Sequence, residues 1–550
     1  MATNEDLANL LFPEVTETIA DLEKRFPERN LPEGAQVTRF APSPTGFLHT
    51  GSLFTAFIAR TMAKQSGGVY FFRLEDTDTK RTIAGSADDL IHQLSQFGIV
   101  ADEGYFPDGD KGVYGPYQQS KRASIYKVVI KELVRQGKAY PDFMTADELA
   151  ALRKFQEDNK ILPGYYGPYA RDRRLTVDEA IEKIKAGTPW VIRYRSMGDH
   201  DKKIKFTDRI RGTIEIADND VDIVILKGDG LPTYHFAHVV DDHFMRTTIV
   251  TRGEEWIPST PIHLQLFRDL GWKAPKYAHL PVIMKLDHGN KRKLSKRKDP
   301  EAAVSYLLKI GYPPKAILVY LMSIANSNFE EWTFQNKSYD YTQFPFSFKK
   351  MSLDGALFDE SKLNFFAKEV LAGIPTSVLA PEVMDWAKEN DAVLSSKINQ
   401  DPAYFTKILG IERDRPNPRK DYAKYSDIEP ATRFFYDEDF AKIKANPLPF
   451  NPKYEPSFLK AFFADAAEKM AYGTTESTWW DSVKSIAAAH GFAIANKDYK
   501  ANPSAYQGSV SDAAELIRIA LTGAKDSPNL HEVIEILGKD HVQQRLRSAI

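Results

Sequence analysis

Apolar positions in the first hundred residues switch between two periods. Residues 37–40 and 69–74 (VTRF and VYFFRL) are short β-branched and aromatic runs, the pattern of buried strands. After the first run, Phe54, Phe57, Ile58 and Met62 recur at helical spacing; after the second, Ala87, Leu90, Ile91, Leu94 and Phe97 do the same within residues 86–98. Strand, helix, strand, helix is the doubly wound α/β pattern. Upstream, residues 1–36 read as short helical pieces broken at Pro13, Pro27 and Pro32, with Asn4 as a cap and Leu7, Leu10 and Leu11 on one face.

From 105 to about 212 the texture changes to Tyr and Gly-Pro pairs, an alternating strand at 191–195 and a capping box, Thr145-x-x-Glu148. This region reads as a mixed α+β insertion. The sheet is expected to resume at 221–226 (VDIVIL), to continue at 247–251 and 278–284, and to be interrupted by a helix starting near Pro261. Beyond Lys298 the pattern is helical over 302–310, 315–325 and 361–371, then all-helical from about 375 to 550. Pro-containing and charged linkers fall near 412–420 and 445–455. The clearest C-terminal helix carries Leu530, Val533, Ile534 and Leu537 at i, i+3, i+4 and i+7.

Composition narrows the classes. A chain of 550 residues is too long for one core, and 43% apolar with 27% charged residues is the balance of a soluble globular protein. A formal charge of −2 leaves room for local basic patches. The absence of cysteine excludes disulfides, zinc–thiolate sites and thiol nucleophiles, and fits a reducing compartment. With no apolar run of about eighteen residues and no basic-then-apolar start, neither a membrane span nor a secretory signal is expected, and a cytoplasmic enzyme is the reading.

Candidate chemistry gathers where strands end. Pro42, Pro44 and Gly46 form a turn after the first strand, so His49, Thr50, Gly51 and Ser52 fall at a helix N-terminus, where free N–H groups and the helix dipole favour phosphate. The alternative is a corner whose His only caps a loop. Glu75 is the first residue off the second strand, where ligands of open α/β sheets bind; Asp76 and Asp78 read as solvated or paired with Lys80 and Arg81. Arg252, Glu255 and Trp256 follow a third strand. Asp241, Asp242 and His243 admit a metal reading, but a structural His–Asp contact is preferred. Six of the eight residues 291–298 (KRKLSKRK) are basic, which suits either a loop closing over polyphosphate or a surface patch. Arg171, Arg173 and Arg174 face nucleic acid or water, with water preferred, and Trp479 with Trp480 is read as core.

Residues 47–52 (FLHTGS) and 293–297 (KLSKR) resemble the HIGH and KMSKS signatures of class I aminoacyl-tRNA synthetases. The words RFAPSPTG, RLEDTD, PTYHFAHVVDDH, RGEEW and KLSKR, in that order over residues 39–297, are similar to the glutamyl-tRNA synthetase family of bacterial type. The resemblance implies an α/β Rossmann-type catalytic domain with an inserted α+β acceptor-binding domain, followed by all-α C-terminal domains. Its expected divisions are an N-terminal extension (1–36), the catalytic halves (37–104 and 213–298) around the insertion (105–212), a stem-contact domain (299–374) and anticodon-binding domains (375–550). The implied activity is ATP-dependent activation of L-glutamate to glutamyl-adenylate and its transfer to the 3′-terminal adenosine of tRNA, releasing AMP and pyrophosphate.

By the same resemblance His49, Lys293 and Lys296 are catalytic, and with Gly51 and Ser52 bind ATP, which brings Mg²⁺. Glutamate has two carboxylates and one ammonium, so its pocket wants two cations and an acid. Arg39, Tyr234 and Arg252 would take the carboxylates, Ser43 and Glu75 the amino end, with Ala41 and His238 beside them and Glu255 and Trp256 lining the site. Arg252 would favour glutamate over glutamine. Three departures stand out: Thr50 and Ser52 replace the second and fourth letters of HIGH, His238 stands where the family often has Asn, and residues 140–144 (YPDFM) lack the cysteines of zinc-binding relatives, so no zinc is expected. The implied partners are L-glutamate and tRNA(Glu), with tRNA(Gln) left open, for a monomer that touches no membrane. Rivals are a glutaminyl-tRNA synthetase, a non-catalytic tRNA-binding paralogue and a small nucleotidyltransferase. Arg252 and the helical C-terminus argue against the first, the presence of His49, Gly51, Lys293 and Lys296 against the second, and the long helical C-terminus against the third.

Overall fold

In the computed structural model the first two apolar runs become parallel neighbours, β1 (Val37–Phe40) and β2 (Val69–Phe72), with Val37 opposite Val69; β3 (Glu103–Gly104) continues the ladder beside β2. The structure describes residues 1–550 apart from Thr79, Lys296 and Asp354 and the side chain of Asn496. The helix Thr50–Gln65 crosses from β1 to β2 with Leu53, Phe54, Phe57 and Ile58 buried, as its period requires. β4 (Ala139–Asp142) and β5 (Val191–Tyr194) pair antiparallel. β6 (Lys203–Asp208) and β7 (Gly212–Ala217) form a hairpin turning at residues 209–211, and Asp208 of β6 lies in parallel register with Tyr277, so this hairpin belongs to the sheet of the strand at 276–280 rather than to that of β4 and β5. The Thr145–Glu148 capping box opens the helix Ala146–Asp158.

The strand expected to resume the catalytic sheet does not do so. β8 (Val224–Leu226) pairs antiparallel with β5, making the sheet β4-β5-β8. A short buried run carries no information about its partner, and Ile225 at 0% exposure would suit either sheet. The parallel layer is resumed instead by β9 (Ile249–Gly253) and β10 (Lys276–Leu280). Thr248, one residue before β9, donates its N–H to the Val37 carbonyl (3.0 Å), placing β9 alongside β1. The helix expected near Pro261 is Thr260–Asp269.

The single strand expected at 278–284 is two. Pro281 cannot donate to a ladder, and the chain leaves β10 to begin β11 (Ile283–Asp287), which pairs with β12 (Asn290–Lys293) in a hairpin and with β13 (Ala356–Leu357) in parallel. The start of the basic run is therefore a strand. At the N-terminus the cap is Thr3, not Asn4: the Asp6 N–H donates to Thr3 Oγ1 (3.2 Å), and Leu7, Ala8 and Leu11, rather than Leu10, are buried. The extension is built into the core through Leu11, Phe12, Leu22 and Phe26.

The described residues form two compact units, 1–307 with 318–359 and 308–317 with 360–550. The second is helical, with one core around Leu379, Val383 and Phe405 and another around Phe462, Ile517 and Val533. Leu530, Val533, Ile534 and Leu537 all face the latter, and Trp479 with Trp480 packs there, as core. Among the described residues no helix is long and apolar enough to cross a membrane.

Candidate active site

β1 ends at Phe40, a Pro-rich turn follows, and the next helix begins at Thr50 with His49 as its cap. The Gly51 N–H donates to His49 Nδ1 (2.9 Å), so a neutral His49 ring carries its proton on Nε2. A Cβ on residue 51 would stand 3.1 Å from that Nδ1, which is why glycine suits the position. The ring thus caps a helix, as the simpler reading held, and also lines a cavity. Thr50 Oγ1 donates to the Glu301 carbonyl (2.9 Å), and the Val304 N–H donates to the Leu48 carbonyl (3.2 Å). The chain after KLSKR is thereby fastened to the HTGS turn.

The cavity holds about 590 Å³. Its wall includes Arg39, Ala41, Ser43, His49, Gly51 and Ser52 from the first strand and turn, and Glu75 beyond the second. Tyr234, Arg252, Glu255, Trp256 and Lys293 complete the sequence-derived set that faces it. The Lys293 ammonium stands 4.0 Å from Glu255, and the Tyr234 and Trp256 rings are 4.4 Å apart. Lys296 lies outside the described residues. His238 does not reach the wall: it is fully buried behind Tyr234, with rings 5.8 Å apart, and its Nδ1 is 3.0 Å from Asp242 Oδ2. Burial lowers its pKa to about 3, so the ring is neutral.

Beneath this wall lies a network that sequence reasoning missed. Arg39 donates from Nε and Nη2 to the two oxygens of Asp242 (3.2 and 3.4 Å), and Arg73 donates to Asp242 Oδ1 (2.7 Å) and Glu75 Oε1 (2.9 Å). Arg122 donates to Asp241 Oδ1 (2.6 Å), which also receives Gln119 and Tyr126 on its other oxygen. Three buried guanidiniums meet three buried carboxylates, the arrangement that makes burial of charge tolerable. Burial pushes the Glu75 pKa up, with Arg73 and Arg39 pulling against it. The words RLEDTD and VVDDH contain these residues, but their mutual contacts have no local signature.

Asp241 and Asp242 therefore belong to the arginines, and the structural His–Asp contact involves His238 rather than His243. His243 instead pairs with Glu23 (2.7 Å) and stacks on Trp272 at 3.9 Å. Among the described residues no three His, Asp or Glu side chains are grouped to hold a metal ion. Asp76 is not solvated: it accepts from the N–H (2.8 Å) and hydroxyl (2.6 Å) of Ser120. Asp78 pairs with Arg81, as expected. Arg173 is anchored on buried Asp222 (2.6 Å) rather than facing water, and Arg171 pairs with Asp172 and Glu148. Within the basic run, Arg292 is bound by Asp287 and by both oxygens of Asp299 (2.6 and 2.8 Å), so it holds the hairpin to the chain that follows.

Arg252 differs from the other arginines of the wall. Its Nε donates to His279 Nε2 (3.0 Å), Nη1 faces His263 Nδ1 (3.1 Å) and Nη2 donates to Thr260 Oγ1 (2.9 Å). Among the described residues it has no carboxylate partner, and it is 5% exposed. A buried guanidinium held by neutral groups at a cavity wall keeps its charge available to an anion entering that cavity.

A parallel sheet whose strand ends carry these groups, with a His-capped helix and a lysine-bearing hairpin facing one cavity, has the parts of a class I synthetase. A family model described as tRNA synthetases class I (E and Q), catalytic domain, matches residues 36–365, and one described as Anticodon binding domain matches 504–550. The glutamate–tRNA ligase of Clostridium perfringens (strain 13 / Type A) is 44% identical over 98% of this chain and 100% of its own. That of Acetivibrio thermocellus is 44% identical over 98% of each. The crystal structure of a glutamate tRNA ligase from Elizabethkingia meningosepticum in complex with its amino acid superposes with a TM-score of 0.72 at 28% identity, over 94% of this chain and 99% of that one. The chain belongs to the glutamate–tRNA ligase family of class I synthetases.

Proposed function

We propose that the chain activates L-glutamate with ATP and esterifies tRNA(Glu) with it, using the cavity between the HTGS turn and Arg252. The observation that carries the reading is that His49 and Lys293, 244 positions apart in sequence, face the same cavity as Arg39, Glu75, Tyr234 and Arg252. ATP lies along the helix N-terminus, its phosphates met by His49 Nε2–H, by the N–H groups near Gly51 and Ser52, and by Lys293 and Lys296. Mg²⁺ enters as part of the nucleotide substrate and shields its charge; no zinc takes part. Arg252 receives the side-chain carboxylate of glutamate, Arg39 and Tyr234 hold the α-carboxylate, and Ser43 and Glu75 hold the ammonium. Ala41 leaves room for the substrate backbone, and His238 acts from behind Tyr234.

An α-carboxylate oxygen attacks the α-phosphorus; that bond forms as the bond to the bridging oxygen breaks, and pyrophosphate leaves with the electron pair. A terminal ribose hydroxyl of tRNA then attacks the acyl carbon, AMP departs, and the hydroxyl proton passes to phosphate or water. The protein contributes position and fixed positive charge rather than covalent chemistry. The helical residues beyond 375 read the anticodon, and the enzyme works in the cytoplasm as a monomer.

Glutamate-dependent pyrophosphate exchange, run with and without tRNA, tests the activity, and glutamine as substrate tests the rival synthetase. Arg252→Ala should raise the KM for glutamate about a hundredfold and that for ATP less than about threefold. Equal effects on both substrates would refute the assignment of Arg252.

A further inference from the structure

Two histidines outside the set that faces the cavity, His263 and His279, hold the guanidinium of Arg252, a third, His235, stands behind His263, and the hydrogen-bond geometry determines the protonation of the two that touch it. A guanidinium only donates, so His279 Nε2, 3.0 Å from Arg252 Nε, is an acceptor, and the proton of that ring sits on Nδ1, directed at Asp208 Oδ2 (2.7 Å). Likewise His263 Nδ1, 3.1 Å from Arg252 Nη1, is an acceptor, so its proton is on Nε2 and points to His235 Nδ1 (3.1 Å). Both rings are neutral and fully buried. Burial lowers the pKa of His263 well below the ordinary value and that of His235 to about 4, which agrees with the geometry.

The positions follow from the fold. His279 stands opposite Arg252 in the β9–β10 register, and Thr260 and His263 lie three residues apart on one helix, so both reach the guanidinium. Arg39, on the same cavity wall, is gripped by the carboxylate of Asp242 instead. One arginine of the site is charge-matched by the protein. The other is oriented at three donors by neutral acceptors and keeps its charge for a ligand.

We propose that His263 and His279 are positioning residues that aim Arg252 while leaving it unneutralised, and that this neutral grip sets the preference for a substrate carboxylate over a carboxamide. The proposal rests on Arg252 receiving the side chain of glutamate. An amide offered to this guanidinium would leave its charge buried and uncompensated; a carboxylate in place of either imidazole would neutralise it beforehand and remove the difference.

The test compares His263→Asp, which puts a carboxylate beside Arg252, with His263→Asn, whose amide oxygen can replace the Nδ1 acceptor. Pyrophosphate exchange with tRNA present gives kcat/KM for glutamate and for glutamine, and thermal unfolding reports on folding. The expected result is that His263→Asp lowers the glutamate-to-glutamine ratio tenfold or more, with the KM for ATP within about threefold of the parent, while His263→Asn keeps the ratio within about threefold. A folded His263→Asp protein with an unchanged ratio, or an Asn variant as impaired as the Asp variant, would overturn the proposal. Should His263→Asp not fold, His279→Ala and His279→Gln decide: restoration of the glutamate KM by Gln supports the proposal, and equal damage overturns it. Arg252→Ala is measured alongside. If it leaves glutamate binding intact, the underlying reading falls and this one with it; if it impairs binding while the histidine variants are silent, only this one falls.

Discussion

Asp242→Asn is the most incisive single perturbation of the site. Its carboxylate accepts three hydrogen bonds from Arg39 and Arg73, at 3.2, 3.4 and 2.7 Å, and one from the Thr247 hydroxyl at 3.1 Å. The substitution removes almost no volume, so the loss is electrostatic: three buried guanidiniums would face two carboxylates. Breaking a buried pair by removing one partner costs about 3–5 kcal/mol, against about 0–1 for an exposed pair. Calorimetric unfolding should show the transition of the unit containing residues 1–307 falling by on the order of 10 °C. The KM for glutamate should also rise, because the amide keeps only one acceptor oxygen and Arg39 loses one of the two bonds that aim it.

The pH dependence carries a sign. Burial works to raise the Asp242 pKa, but Arg39 and Arg73 prevail and hold it well below the ordinary 3.8. A depressed pKa contributes stability that is complete above the unfolded value and lost as pH falls toward the folded one. The gap between parent and variant should therefore be constant near neutrality and narrow below about pH 4. A variant within about 1 kcal/mol of the parent at neutral pH, with unaltered glutamate KM, would refute the view that this network is one charge-balanced support.

Two further outcomes can be measured separately. Lys296→Ala should slow glutamyl-adenylate formation in a single-turnover assay while tRNA affinity, by filter binding, stays close to the parent value, because the lysine is assigned to phosphates rather than to tRNA. Phe462→Ala should cost about 3–5 kcal/mol in denaturant unfolding of the helical residues, since its ring is 1% exposed in the C-terminal core; pyrophosphate exchange without tRNA would report any unintended effect on the catalytic unit.

Much of the site was legible because its parts are local. A strand, a proline turn and a helix start within sixteen residues place His49 and Gly51 at an anion-binding terminus whatever surrounds them. Glu75 and Arg252 could be recognised as strand-end residues for the same reason. His238 was harder: position on a helix says nothing of depth, and Tyr234 screens it from the cavity. The family words contain Asp241 and Asp242, but an acidic pair that binds metal and one that binds arginine look alike in sequence, and only the contacts with Arg39, Arg73 and Arg122 separate them.

Amino-acid order alone determined the alternation of strands and helices up to residue 98, the helical character beyond Lys298, the capping box at Thr145 and the turn that opens the helix at Thr50 on the cavity wall. These depend on interactions within a few residues, where period and capping are sufficient. Tertiary structure decided which sheet β8 joins, that Pro281 divides two strands, and that Arg39 is matched by an aspartate 203 residues away while Arg252 is held only by neutral rings. Pairing partners and charge balance are properties of groups brought together across the fold, and no window along the chain contains both members.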